Sequence, residues 1–256
     1  MSPASKEHTM NRITTATAGL AVAAVSLVGL SGTALADSSS TTATTSTTSP
    51  SAAPAHGDNL AAIQAKAAAA ITRRLSAISV AINGINNSSV ISAGDKTTLL
   101  ATLNGDVSGL TALGTTIAAD TTAKQAATDY RTIFTGYRVF ALALPQVHFA
   151  AAADSITGVV LPKLTDAQTK LAALLAGVDS GKNTPEVQAA MADLATQITA
   201  IGAATSGLSA TVLAYTPAQY DANHALLSPA RASLATSRND VKTARADITT
   251  VTKALK

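Results

Sequence analysis

The chain has 256 residues, of which 47% are hydrophobic, 13% are charged and only 3% are aromatic, and its formal net charge is +3. This weak positive charge does not indicate a protein that binds specific nucleic acids, because such domains usually carry a strongly basic surface. The sequence contains no cysteine, which excludes disulfide bridges, thiolate metal ligands and the thiol of a lipoprotein anchor.

Residues 1–36 have the organisation of a secretory signal peptide. A start at Met10 places one basic residue, Arg12, before a run of small and apolar residues, and the sequence ALA at Ala34–Ala36 forms a cleavage site. The alternative is a membrane anchor, but the apolar run is shorter than the roughly 20 residues that a spanning helix needs. We therefore expect cleavage at this site, export, and no transmembrane segment in the mature protein.

Residues 37–58 consist almost entirely of Ser, Thr, Ala and Pro, in the sequence DSSSTTATTSTTSPSAAPAHGD. A segment with so few large apolar side chains buries too little surface to offset the entropy that is lost on ordering. It is therefore predicted to be a disordered tether. Its hydroxyl groups could carry O-linked sugars or stay unmodified.

Residues 59–256 are predicted to form one all-α domain of about 200 residues, because apolar residues recur every three or four positions throughout. In the first predicted helix these residues are Leu60, Ile63, Ala67, Ile71, Leu75, Ile78, Ile82 and Ile85. The polar sequence NNSS at Asn86–Ser89 ends this helix. The sequence SAGD at Ser92–Asp95 is a capping box for a second helix, and Asp120 or Thr121 is expected to cap a third.

The second half of the domain has a clearer pattern. The sequence TPE at Thr184–Glu186 supplies an N-cap, a proline at the first helical position and an acid in the first turn. Mostly apolar residues then alternate spacings of four and three from Val187 to Tyr215, and apolar residues recur every seven positions from Leu227 to Leu255. This period predicts coiled-coil-like packing, with a connecting corner at Tyr215–Tyr220. We predict an elongated antiparallel bundle of five to six helices, each about 25–30 residues long.

The segment ATDYRTIFTGYRVFALALPQVHFAAAAD at 127–154 contains most of the aromatic residues and a concentration of polar side chains. Its candidate ligand-binding residues are Tyr130, Arg131, Tyr137, Arg138, His148 and Asp154. Pro145 is expected to end or kink a helix here, and one of the two arginines would pair across the kink with His148 or Asp154. One interpretation is a binding cleft at the kink. The other is a core stripe of aromatic rings with a hydrogen-bonded polar edge.

The last predicted helix carries a regular series of basic residues. Arg231, Arg238 and Arg245 recur every seven positions, so they share one edge of the helix, and Lys242 lies close to them. One interpretation is a solvated flank whose aliphatic stems cover the helix contact. The other is contact with an anionic surface, and a cell-wall polymer is the best candidate for an exported protein.

No motif in the sequence indicates catalysis, a cofactor or a metal site. The sequence GVDSGKN at Gly177–Asn183 is one residue short of a phosphate-binding loop and follows a predicted helix, so we interpret it as an interhelical turn. The histidines are far apart, and no carboxylates stand at metal-ligand spacing. We therefore expect a protein that is not an enzyme.

The sequence GDVSG at Gly105–Gly109 has the small-residue spacing of a close helix crossing.

Two segments, IFTGYRVFALALPQVHFAAAAD at 133–154 and LSPARASLATSRNDVKTARAD at 227–247, resemble a group of exported, all-helical hypothetical proteins of high-G+C Gram-positive bacteria. The resemblance implies export and a helical fold, and it implies no catalytic residue. Together with the features above, it leads us to expect a secreted or cell-wall-associated structural protein. The alternative is a helical bundle that binds a small ligand or a peptide.

Overall fold

A computed structural model describes residues 56–177 and 179–256, and all regular secondary structure in these residues is helical. The prediction of an all-α bundle is therefore confirmed. The predicted signal peptide and all but the end of the predicted tether lie outside the described residues. The first helix begins at His56, three residues before the predicted start of the domain at Asn59.

The described residues form nine α-helices: α1 (His56–Asn87), α2 (Ala93–Ala119), α3 (Ala123–Thr135), α4 (Leu144–Ser155), α5 (Leu161–Ala176), α6 (Pro185–Thr205), α7 (Leu208–Leu213), α8 (Pro217–Ala222) and α9 (Ser228–Leu255). Only α1, α2 and α9 reach the predicted length, with 32, 27 and 28 residues. The other helices are shorter because the chain between α3 and α9 is interrupted more often than its apolar period indicates.

Two π-helical turns, Val139–Ala143 and Ile156–Val160, run directly into α4 and α5. Each is followed by Leu-Pro, so the sequences VFALALP and ITGVVLP repeat one pattern. Proline has no N–H and collides with the carbonyl group four residues earlier in a regular α-helix. A π turn bonds five residues back instead, as the Leu144 N–H does to the Val139 carbonyl, which gives the ring room.

Of the two predicted outcomes at Pro145, an end or a kink, the end is wrong, because the helix continues through Pro145. The interruption in this segment lies earlier, at Gly136–Arg138 between α3 and the first π turn. Arg138 adopts the left-handed conformation, with φ of 45°. A non-glycine residue rarely adopts this conformation, so the sequence gives no signal for the position of the break.

Two hydrophobic cores share the continuous helix that runs from Val139 to Ala176. The first core lies between α1, α2, α3, the first π turn and α4, and its fully buried residues include Ile78, Leu110 and Ile133. The second core lies between α5, α6 and α9, around Leu194 and Ile201. A smaller cluster joins the cores and consists of Leu142, Val212, Leu227 and Ala230.

The predicted periodic contact between α6 and α9 is present as alternating burial along both helices. In α6 and α7 the buried residues are Val187, Leu194, Ile201, Thr205 and Val212, and in α9 they include Ala230, Leu234, Ser237, Ala244, Ile248 and Val251. The side chain of Lys182, just before α6, donates to the carbonyl of Leu255 at the end of α9, so the two helices are antiparallel. The predicted helix is nevertheless broken at Gly207, whose φ of 66° requires the left-handed region that glycine favours.

Two predicted N-caps are confirmed, and one is displaced. The side chain of Ser92 caps α2 by accepting from the Asp95 N–H, and Thr184 caps α6 in the same way. The cap of α3 is Thr122 rather than Asp120 or Thr121. The predicted corner at Tyr215–Tyr220 contains most of α8, which begins with a capping box.

One helical stretch of the described chain, Ala123–Ala176, is long and apolar enough to cross a membrane by length and composition alone. In its most apolar window, 44% of the residues are buried against the rest of the protein. The core helix of a water-exposed bundle passes the same test, so this stretch is weak support for a membrane span.

Candidate functional site

The six candidate residues of segment 127–154 contact different parts of the fold. Tyr130 is half-buried and packs edge-on against the ring of Phe134, with the ring centroids 5.1 Å apart. Arg131 and His148 are exposed. Tyr137, Arg138 and Asp154 each contact another helix or its terminus, so this segment serves as a structural joint.

Arg138 pairs with Asp221 of α8, and its guanidinium group lies 5.7 Å from the ring centroid of Tyr220. Tyr220 in turn packs edge-on against His224. Among the described residues, neither Arg131 nor Arg138 pairs with His148 or Asp154, so the predicted pairing is wrong. The left-handed backbone at Arg138 begins the first π turn, and the ion pair holds α8 against this break.

Asp154 accepts a hydrogen bond of 2.7 Å from the backbone N–H of Ser92, at the start of α2. Burial raises the pKa of the Asp154 carboxyl; the hydrogen bond from Ser92 opposes this rise, and the nearby Asp95 carboxyl adds to it. The hydroxyl of Ser209 in α7 donates to Asp95. Asp154 therefore ties α4 to the beginning of α2, and Asp95 ties α7 to the same place.

Tyr137 lies against α2 at Gly109, where an added Cβ would be only 2.5 Å from the Tyr137 hydroxyl oxygen. The predicted close helix crossing at Gly105–Gly109 is therefore a fit between a ring and a glycine, and Gly105 faces open space. Burial also raises the pKa of the neighbouring Asp106 carboxyl to about 6. Burial and the Asp106 charge together raise the pKa of Tyr137.

The buried Gln146 was missed by sequence reasoning. Its side-chain amide donates two hydrogen bonds of 2.9 Å, to the carbonyls of Val212 and Tyr215 at the end of α7. Only 4% of the residue is exposed. Its position directly after Pro145 gave no indication that it faces the core, because the π turn shifts the helical register.

The basic residues of α9 lie where the sequence predicted. Arg231, Arg238 and Lys242 are exposed and Arg245 is half-exposed. The arginines each follow a buried residue of α9, namely Ala230, Ser237 and Ala244. We call these four basic residues the basic strip. Over the described chain, no member of the strip forms an ion pair.

The acids of α9 do not neutralise the basic strip. The helix contains two, Asp240 and Asp247, and each has one buried carboxyl oxygen without a hydrogen-bond partner in the described residues. Burial raises the pKa of Asp247, and the Asp193 carboxyl of α6 adds to this rise. Since Asp193 belongs to α6, Asp247 faces the contact between the two helices, and the exposed charge of this edge is positive.

A second cluster combines arginines with aromatic rings and was also missed. Arg74 of α1 occupies a core position, three residues after Ile71 and four before Ile78, and only 8% of it is exposed. Its guanidinium group lies 4.3 Å from the ring centroid of Phe134 and 5.4 Å from that of Phe140. The spacing of three and four residues between buried positions of α1 could have revealed this one. A charged residue, however, is normally expected to face solvent.

A shallow, open depression of about 650 Å³ lies where α2 meets α3. Its lining residues are Ala112, Thr115, Thr116, Ala119, Asp120 and Gln125. Asp120 is buried, which raises the pKa of its carboxyl, and the charge of Asp129 adds to this effect. The depression encloses too little to hold a ligand by itself. In residues 56–177 and 179–256, no three His, Asp or Glu side chains are grouped as a metal site.

Comparison of the chain with protein-family models, with characterised proteins and with solved structures finds no significant match.

Proposed function

We propose that this chain is an exported, non-enzymatic helical protein that binds an anionic polymer of the cell envelope through the basic strip of α9. The observation that carries the proposal is the regular series of exposed cations, unpaired in the described chain, along one edge of α9. Export rests on the signal-peptide pattern of residues 1–36 and on the resemblance to exported helical proteins of Gram-positive bacteria.

The geometry of the basic strip suits a long polyanion better than a small ligand. Seven residues of α-helix span about 10.5 Å, so the three arginines extend over about 21 Å on one edge. A small anion could contact only one of them at a time. A polymer with repeated phosphate or carboxylate groups could contact all three, and their weak individual attractions would add.

The test compares two double variants with the same loss of charge. Arg231→Gln with Arg238→Gln removes two cations of the strip. Lys66→Gln with Lys124→Gln removes two exposed lysines, one in α1 and one in α3. The binding measured is that to purified teichoic acid at low salt. Each cation near an anionic surface contributes about 1 kcal/mol of binding free energy, so loss of the arginine pair should weaken binding roughly tenfold or more.

The lysine pair should bind almost as the unchanged protein does. Added salt should weaken the binding of the unchanged protein, because exposed charges more than about 10 Å apart are screened at 0.1 M salt. Both double variants should melt like the unchanged protein, since exposed charges add little stability. Equal losses in both pairs would mean that only net charge matters, and the strip would then not be the site.

The alternative of a ligand-binding cleft in segment 127–154 receives less support. Three of its six candidate residues already contact other helices: Arg138 pairs with Asp221, Asp154 accepts from Ser92, and Tyr137 lies against Gly109. Groups that already hold the fold together are poorly placed to bind a ligand as well.

A further inference from the structure

Arg74 is a buried cation that lacks the partner such a group normally has. Its Nη1 atom donates 2.9 Å to the carbonyl of Ala70, one turn earlier in α1. Its Nε atom is buried with no hydrogen-bond partner in the described residues, and no carboxylate there pairs with it. Buried arginines are normally matched by an acid, because an unmatched buried charge destabilises the fold.

The surroundings of Arg74 compensate for its charge only in part. The rings of Phe134 and Phe140 lie within cation–π distance, but such contacts are weaker than an ion pair with good geometry. The next residue, Arg73, adds a second cation 5.7 Å from the ring centroid of Phe140. Burial lowers the pKa of Arg74; the nearby Tyr130 hydroxyl opposes this change, and the charge of Arg73 adds to it.

Phe140 is unusual in the opposite sense, because it is a large apolar side chain that stays 44% exposed. It belongs to the first π turn, and its ring contacts both arginines. Val80, 73% exposed, lies seven residues after Arg73 and therefore on the same face of α1. Two of the most exposed large apolar residues thus lie near Arg73: Val80 on the same face of α1, and Phe140 in contact with its guanidinium group.

We propose that Arg73, Arg74 and Phe140 form a binding site for an amphiphilic anion, meaning a carboxylate or phosphate group attached to a hydrocarbon chain. The anionic group would accept hydrogen bonds from the free N–H groups of the two guanidiniums, whose fork suits these two anions. The hydrocarbon would cover the exposed ring of Phe140 and extend toward Val80. One ligand would thereby supply the missing counter-charge and cover the exposed apolar surface.

The decisive variant is Arg74→Met, which keeps an unbranched apolar stem in the core and removes the charge. Replacing an unmatched buried charge by an apolar side chain of similar length is often neutral or stabilising. We therefore expect the variant to fold and to melt at the same temperature as the unchanged protein or higher. We expect it to bind monomeric octyl phosphate at least tenfold more weakly, as measured by calorimetry on the full chain.

Two further comparisons locate the parts of the ligand. Octyl phosphate should bind the unchanged protein at least tenfold more tightly than methyl phosphate does, and Phe140→Ala should reduce this difference. Lys124→Gln, which removes an exposed cation of α3, should bind octyl phosphate unchanged. So should Arg231→Gln with Arg238→Gln, which separates this site from the basic strip.

Vesicles distinguish a free ligand from a membrane lipid. Binding to vesicles that contain phosphatidylglycerol, lost in Arg74→Met and absent with phosphatidylcholine alone, would assign the anionic group to a lipid. Binding of monomeric octyl phosphate without vesicle binding would assign it to a free small molecule. Equal binding of octyl phosphate and vesicles by Arg74→Met and the unchanged protein, or no binding of either by the unchanged protein, would overturn the proposal.

Discussion

At the scale of single residues, the contact between Tyr137 and Gly109 shows how this alanine-rich chain accommodates its few large rings. The ring lies where a side chain on α2 would otherwise project, and the glycine supplies the space. Tyr137 is only half-buried, so its contribution comes from this close fit more than from the area it buries. Gly109 therefore acts as the partner of a specific ring.

This fit predicts that Gly109→Ala changes from neutral or destabilising to stabilising when Tyr137 is replaced by Ala. Gly109→Ala should gain about 1 kcal/mol from helix propensity but lose about 1–3 kcal/mol through overpacking against Tyr137, so the protein should be destabilised or unchanged. Combined with Tyr137→Ala, the same substitution should stabilise by about 1 kcal/mol. Urea denaturation of the four proteins measures the coupling.

Gly105→Ala is the matched control, because Gly105 lies in the same helix and faces open space. It should stabilise by about 1 kcal/mol whether residue 137 is Tyr or Ala. If Gly109→Ala stabilised as much as Gly105→Ala in the presence of Tyr137, the ring would not lie at Gly109 in solution.

Single residues also show how far the sequence could predict this molecule. The caps at Ser92 and Thr184 and the period of α9 were predictable, because each depends on a short pattern of side chains in one helix. The left-handed Arg138 was not, because no short pattern marks a non-glycine residue in this conformation, and its partner Asp221 lies far along the chain. Arg74 fits the apolar spacing of α1 but was missed, because a charged residue is normally expected to face solvent, and the rings that cover it come from other elements.

At the scale of helices, the π turns set the register in which the central helix meets its neighbours. The first turn places Gln146 on the inner side of α4, where it bonds to the two carbonyls at the end of α7. Carbonyl groups at the end of a helix have no partner within that helix. Gln146 therefore acts as an external cap that fixes α7 to α4.

Gln146→Ala should lower the free energy of unfolding by about 1–3 kcal/mol, because it removes two hydrogen bonds from a largely buried site. Gln188→Ala is the control. Gln188 also donates to a backbone carbonyl, that of Asn183, but it is exposed, and water can replace the bond. This control should change stability by less than about 0.5 kcal/mol. Equal effects in urea denaturation would show that Gln146 does not hold α7.

At the scale of the whole molecule, buried carboxyl groups are distributed over both cores. Burial raises the pKa of Asp106, Asp120, Asp154 and Asp247. A carboxyl whose pKa is higher in the folded than in the unfolded state binds its proton more tightly when folded. These groups therefore destabilise the folded protein at neutral pH. The lost stability is recovered as the pH falls from the pKa of the folded state toward the pKa of the unfolded state.

We expect the protein to be more stable at pH 5 than at pH 7.5, and Asp106→Asn to reduce the difference. A rise of the carboxyl pKa from 3.8 to about 6 would cost a fully buried group about 3 kcal/mol, and solvent screening reduces this to about 1 kcal/mol for the half-buried Asp106. Melting temperatures at both pH values measure the effect. The exposed Glu186 has a lowered pKa, so it stabilises the folded protein at neutral pH. This stability is lost only below the ordinary pKa of a Glu carboxyl, and so does not affect the comparison of pH 5 with pH 7.5.

Asp166→Asn tests whether any loss of a carboxyl gives the same result. Asp166 is exposed and pairs with Lys170 one turn later in α5, so its removal should leave the difference between the two pH values nearly unchanged. A protein that is less stable at pH 5 than at pH 7.5 would contradict the conclusion that burial raises the pKa of these carboxyls.

The division into two cores has a consequence for the order of events during synthesis. All buried residues of the first core lie between Ala67 and Ala150, and all those of the second lie between Ile156 and Val251. Contacts confined to one half of a chain form without waiting for the other half. A chain that is synthesised from its N-terminus can therefore bury most of the first core before the second half has formed, and the helix from Val139 to Ala176 then offers the second half a surface on which to assemble.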